Sequence, residues 1–177
     1  MEENKSEAYL DIETTSLYPF DGIITVIGIY ITSEVAESRL SGRGRGRAEK
    51  FIQLVGEEIT KNNLLKSLEG VEIIYTYNGK GFDLPFIKEY VGIELTECFK
   101  HRDLMYDCWN KNLYGGFKKV EEALGIERES KGIDGRIAVD LWHRYKIFGD
   151  EESLKSLLKY NKEDVMNLKI LKVRLGI

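Results

Sequence analysis

Three short segments carry side chains able to do metal-assisted chemistry. The first is Asp11-Ile12-Glu13. Residues two apart on a strand point to one face, so this spacing aims two carboxylates at one point and turns Ile12 into the core. Like charges held that close repel, and a cation between them relieves the repulsion. A solvated strand edge is the commoner use of the same pattern. The second segment runs from Asn78 to Asp83, where Gly79 and Gly81 allow a sharp turn and a close approach of ligand to backbone. Asp83 falls at an expected helix start, where it can act as an N-cap or aim into a site. Phe82 and Phe86 suit either a core or a platform for bases. The third is Tyr160-Asn161-Lys162-Glu163-Asp164. Positions four apart share a helix face, so Tyr160 and Asp164 project together, as a core tyrosine beside a surface acid would also do. Carboxylates are hard oxygen donors suited to magnesium or manganese.

The elements that must position these residues follow from apolar pattern and breakers. Ala8–Ile12, Ile23–Ile31 and Phe51–Val55 read as strands, the last two as a hairpin with a long tip. That tip interleaves Arg39, Arg43, Arg45 and Arg47 with glycines, which suits either a phosphate grip or a solvated loop. Leu64, Leu65 and Leu68 have helical spacing before Gly70, and Val71–Tyr77 reads as a buried strand. A helix runs from Asp83 through Tyr90, with Pro85 in its first turn. A further strand is expected over Phe99–Leu104. Helices are expected over Phe117–Leu124, Ile137–Ile147 and Glu151–Val173, separated by glycines. A mixed sheet followed by helices describes one α/β domain spanning residues 1–177.

The formal charge of −4 argues against a protein that simply coats nucleic acid, since coating needs a basic surface. It suits a site where four carboxylates balance two divalent cations. Cys98 and Cys108 cannot build a four-sulfur zinc site and read as reduced thiols. No apolar run reaches the length of a membrane span, and the polar stretch Met1–Lys5 is no signal peptide. Both point to the cytoplasm and away from a membrane.

Taken in order, the three segments resemble the three exonuclease motifs of the DEDD family, whose members have a ribonuclease H-like fold. The resemblance spans about Tyr9 to Leu171. Asp11, Glu13, Asp83 and Asp164 match the four acids that name the family, and Tyr160 matches the tyrosine of its DEDDy branch. The histidine branch needs a His where this chain has Lys159, and neither His101 nor His143 falls in a motif. Asn78–Ile87 is similar to the second motif of family-B DNA polymerase exonuclease domains. The whole layout is more similar to stand-alone YprB-type proteins, including Asp103-Leu104 and Leu124-Gly125-Ile126. Ser16 departs from the pattern, standing where the first motif often has Gly.

The resemblance implies a central mixed β-sheet flanked by α-helices. It implies a 3′–5′ exonuclease that hydrolyses phosphodiester bonds at a free 3′ end of single-stranded DNA or RNA. Two Mg2+ or Mn2+ ions about 4 Å apart would serve that reaction. Asp11, Glu13, Asp83 and Asp164 would be direct or water-mediated ligands, with Asp11 as bridge and Tyr160 orienting the attacking water. Thr14, Thr15, Leu17, Asn78 and Phe82 would contact the substrate. Thr14 and Thr15 also suit a plain loop, Asn78 its own turn, and Asp103 a supporting place near the sheet end. A catalytically silent nucleic-acid-binding module and a ribonuclease H-like endonuclease are the rival readings.

Overall fold

The computed structural model describes residues 6–35 and 46–177. The strand β1 (Ser6–Thr14) alternates as its pattern demands. Ala8, Leu10 and Ile12 enter one core, while Tyr9 enters another on the opposite face, the face shared by Asp11 and Glu13. β2 (Ile24–Val35) and β3 (Gly46–Val55) form the expected hairpin. Both strands extend beyond their apolar runs, because backbone pairing continues through Thr32↔Glu49 and Ser33↔Ala48. Hydrogen-bond pairing, and not apolar pattern, sets where they end. Arg39, Arg43 and Arg45 lie outside the described residues, and Arg47 lies in β3.

β4 (Ile73–Thr76) and β5 (Lys100–Asp103) complete a five-stranded sheet of order β3-β2-β1-β4-β5. β1 runs antiparallel to β2 and parallel to β4, and β4 runs parallel to β5. The sheet is therefore mixed, and helices cover both faces. α1 (Lys61–Ser67), capped by the Thr60 hydroxyl, α2 (Asp83–Val91) and α3 (Leu95–Cys98) pack Leu64, Leu84, Phe86, Ile87 and Leu95 onto the Ile12 side. On the other side lie α4 (Leu104–Asn110), α5 (Phe117–Ala123), α6 (Gly135–Phe148) and α7 (Glu151–Leu175). They contribute Leu104, Val120, Trp142, Leu157, Val165, Leu168 and Leu171.

The helix α4 starts where the expected Phe99–Leu104 strand was to end. The Asp103 carboxylate accepts the Met105 N–H at 3.1 Å and caps the new helix. α7 is the longest element, and its packing against β1 and β2 brings the third segment onto the first. No helix among the described residues is long and apolar enough to cross a membrane.

Candidate active site

The site is assembled where α7 crosses the ends of β1 and β2. In the sheet Asp11 stands opposite Gly28, and Gly28 opposite Gln53. Gly28 has no side chain, so Asn161 of α7 settles against it. A Cβ at Gly28 would lie 2.3 Å from Asn161 Oδ1 and 2.7 Å from Val165 Cγ2. Asn161 is fully buried and uses that seat to donate to Asp11 Oδ2 at 3.1 Å. Its own oxygen accepts from Gln53 Nε2 at 3.0 Å, and Gln53 also donates to the Leu158 carbonyl. One row across three strands thus holds the Asp11 carboxylate by way of the helix that carries Asp164.

Around this row three of the four expected acids converge. Asp11, Glu13 and Asp164 each place a carboxylate oxygen within 4.8 Å of the others. Glu13, Asp83 and Asp164 are buried. Asp83 is the first residue of α2, not its cap: the N-cap position is Phe82, which makes no side-chain cap bond. The Asp83 carboxyl receives backbone N–H groups, its own and that of Ile12.

Burial is the main force on the ionisation of these groups. It pushes Asp11 well above the usual carboxylate range, with Asp164, Glu13 and Asp83 adding repulsion and Asn161 opposing. Glu13 moves the same way through burial, Asp164 and Asp83, with Lys118 opposing. Burial raises Asp83 to about 7, against the pull of its backbone donors. Asp164 is raised by burial and held back by Arg128. Such a buried, mutually repelling set of hard oxygen donors fits a divalent cation, which would remove both the desolvation and the repulsion penalties.

Arg128 was not legible as a site residue in the sequence, yet it bonds Asp164 directly and Glu121 beside it. Burial alone would lower its pKa, but Glu121 and Asp164 outweigh that and keep the guanidinium charged. Asn167, one turn beyond Asp164 on α7, secures Glu121 at 2.7 Å. Glu163 accepts from the N–H groups of Glu129 and Ser130 and from the Ser130 hydroxyl, latching this stretch to α7.

A cavity of about 570 Å3 opens over the acids, lined by Asp11, Glu13, Asp164, Tyr160 and the expected Thr14, Thr15, Leu17 and Phe82. Tyr160 is buried, and burial followed by the charges of Asp164, Glu13 and Asp11 raises its hydroxyl far above its ordinary value. The two threonine hydroxyls also hold the loop: Thr14 donates to the Ser16 carbonyl at 2.6 Å, and Thr15 accepts from Ile23 N–H at 3.0 Å. Leu17 is 77% exposed at the cavity rim.

Residues 8–176 match the RNase_H_2 family of the RNase_H superfamily. The chain belongs to the RNase_H superfamily. Its sheet and flanking helices are the RNase_H-like fold, a nuclease fold, and solved structures agree. The family B DNA polymerase of the hyperthermophilic archaeon Pyrobaculum calidifontis aligns over 97% of this chain at 18% identity, with a TM-score of 0.65. The chain spans only 24% of that polymerase. Brucella melitensis NrnC aligns over 98% of the chain and 73% of its own length, at 18% identity and a TM-score of 0.58. NrnC bound to pGG aligns over 98% and 75%, at 17% identity and a TM-score of 0.54. No curated protein matches the chain.

Within this RNase_H-like frame, the remaining sequence expectations find their places. Asn78 is exposed and lies outside the cavity over the acids. Its backbone is left-handed, with φ of 60°, and its carbonyl accepts from Gly81 and Phe82. Asp103 is the clamp of this turn: its carboxylate accepts the N–H groups of Asn78 at 2.7 Å and Lys80 at 3.0 Å. His101 shares a 2.9 Å hydrogen bond with Thr76, and burial lowers its pKa. His143 is exposed on α6.

Proposed function

We propose that this chain is a DEDDy-type, divalent-metal-dependent 3′–5′ exonuclease, nearest in kind to stand-alone YprB-type proteins. It would release nucleotides from the free 3′ end of single-stranded DNA or RNA. The observation that carries the reading is the convergence of Asp11, Glu13 and Asp164 within 4.8 Å, with Tyr160 lining the same cavity. The pGG bound by the structural neighbour NrnC supports a nucleic-acid substrate.

In this reading Asp11, Glu13, Asp83 and Asp164 would hold two Mg2+ or Mn2+ ions. Bound there, the ions would supply charge neutralisation at the phosphate and a more acidic water. Asn161 fixes the Asp11 carboxylate, and Arg128 opposes the rise that burial imposes on the Asp164 pKa. Tyr160 retains its proton, so it acts as a hydrogen-bond donor that orients water and not as a base. Leu17 and Phe82 supply apolar walls for the terminal nucleoside, and the loop of Thr14 and Thr15 supplies its backbone edge. Asn78 contributes through the turn that Asp103 clamps.

The test uses 3′- and 5′-labelled single-stranded DNA and RNA, each with magnesium or manganese. Stepwise release of mononucleotides from the 3′ end is expected, abolished by chelator and by Asp11→Ala or Asp83→Asn. Internal cuts, or tight binding without release at saturating metal, would overturn the reading.

A further inference from the structure

Two cavities of different chemistry meet at Asp11, Tyr160 and Asp164. The larger one presents Ile12, Leu17, Phe82 and Val139, and its arginine, Arg136, neighbours Asp134. A second cavity, of about 380 Å3, shares Asp11, Gly135, Tyr160 and Asp164 with the first and adds Tyr77, Phe117, Lys118, Lys119 and Arg128. Its walls are basic and aromatic. Tyr77 and Phe117 stack with ring centroids 5.0 Å apart at 20°, and the Tyr77 hydroxyl is tied to the Gly115 carbonyl at 2.7 Å. Lys118, Lys119 and Arg128 supply the charge.

Each cation is placed differently. Lys118 donates to the Ile133 carbonyl and lies 4.8 Å from the Tyr160 ring centroid. Arg128 spends two nitrogens on Glu121 and Asp164, while its Nη1 is buried without a hydrogen-bond partner. Lys119 is exposed and makes no ion pair among the described residues, and its aliphatic stem lies over Gly115. An aromatic wall beside cations is what a single strand needs: a face for a base and charge for its phosphate. Of these three cations Lys119 is the exposed one, so its charge is available to a phosphate.

We propose that this second cavity is the strand subsite of the exonuclease, holding the phosphate one linkage 5′ of the bond being cut. The larger apolar cavity then takes the nucleoside that leaves. Lys119 is the residue that contacts this phosphate from solvent, and Tyr77 and Phe117 face its base. The inference rests on the exonuclease reading and adds to it a polarity, with the strand on the Lys119 side and the released end on the Leu17 side.

Equilibrium binding tests this without turnover. Single-stranded DNA and RNA oligonucleotides are titrated against full-length protein carrying Asp83→Asn, which prevents cleavage. The better-bound strand is then given one neutral methylphosphonate, either at the last-but-one linkage or several linkages upstream. Neutralising the last-but-one linkage should weaken binding by about threefold, the scale of an exposed ion pair. Adding Lys119→Ser should abolish that sensitivity and flatten the log–log salt slope by about 0.7, and Lys119→Arg should restore both. If the neutral linkage costs the same with and without Lys119→Ser, the subsite assignment falls while the exonuclease reading stands. Absence of binding to every strand overturns both.

Discussion

Tyr160 keeps its proton because burial and three neighbouring carboxylates all oppose a phenolate. Its hydroxyl can therefore position water but cannot take a proton from it at neutral pH. Tyr160→Phe should lower the rate by about a hundredfold and leave metal affinity, read by calorimetry, nearly unchanged. Loss of metal binding together with activity would make Tyr160 a ligand instead. Arg128 supplies the balancing charge, bridging buried Glu121 and buried Asp164. Removing one member of a buried ion pair typically costs about 3–5 kcal/mol, because the other charge is left without compensation. Arg128→Met should show a loss of that size in urea unfolding. Adding Glu121→Leu should recover most of it, since the stranded carboxylate is then gone. A single-variant loss below about 1 kcal/mol would show that Arg128 is incidental to stability.

At the scale of elements, the decisive contact is the seat of α7 on β2. Asn161 reaches Asp11 only because Gly28 leaves the sheet surface flat beneath it. Gly28→Ala places a methyl group 2.3 Å from Asn161 Oδ1 and 2.7 Å from Val165 Cγ2. Both neighbours are buried and cannot swing away. Overpacking of this kind costs about 1–3 kcal/mol, and it should also reduce hydrolysis, because Asp11 loses its donor. Thermal unfolding and hydrolysis of end-labelled single strands, measured on the same preparation, check both effects. A variant with unchanged melting and unchanged rate would show that α7 does not depend on this seat. On the far side of the site, the Asp103 clamp plays the matching role for the turn that leads into α2.

Over the whole molecule, the acidic site is a cost that the rest of the fold carries. Asp83 has a folded-state pKa of about 7, against an ordinary value of 3.8. Between those values the unfolded chain has released this proton and the folded chain retains it. Folding therefore takes up a proton, and stability falls as pH rises from about 4 to 7. Each unit of displacement is worth about 1.4 kcal/mol, and Asp11 and Glu13 are displaced in the same direction. In chelator, the melting temperature should drop across that window. Asp83→Asn should flatten the drop, and saturating magnesium or manganese should raise melting at neutral pH by binding the folded state alone. An identical pH slope in the wild type and Asp83→Asn would place the penalty elsewhere.

Local periodicity was enough to say which candidate residues share a face. The two-residue repeat of a strand put Asp11 and Glu13 on one face, and the four-residue spacing of a helix put Tyr160 and Asp164 on another. The hairpin, the α2 start at Asp83 and the long final helix were legible for the same reason, with ends displaced by a few residues. Local pattern could not show what holds these groups. Asn161 meets Asp11 across 150 positions, Gln53 meets Asn161 across 108, and Arg128 meets Asp164 across 36. Gln53 is the sole glutamine in the chain, and nothing in its own neighbourhood marks it. Whether Asp83 caps its helix was likewise open until the structure put Phe82 at the N-cap position and Asp83 inside the first turn of α2. Spacing along a chain fixes which side chains share a face, but only the docking of one face on another decides which charges are buried together, and that is what sets their ionisation.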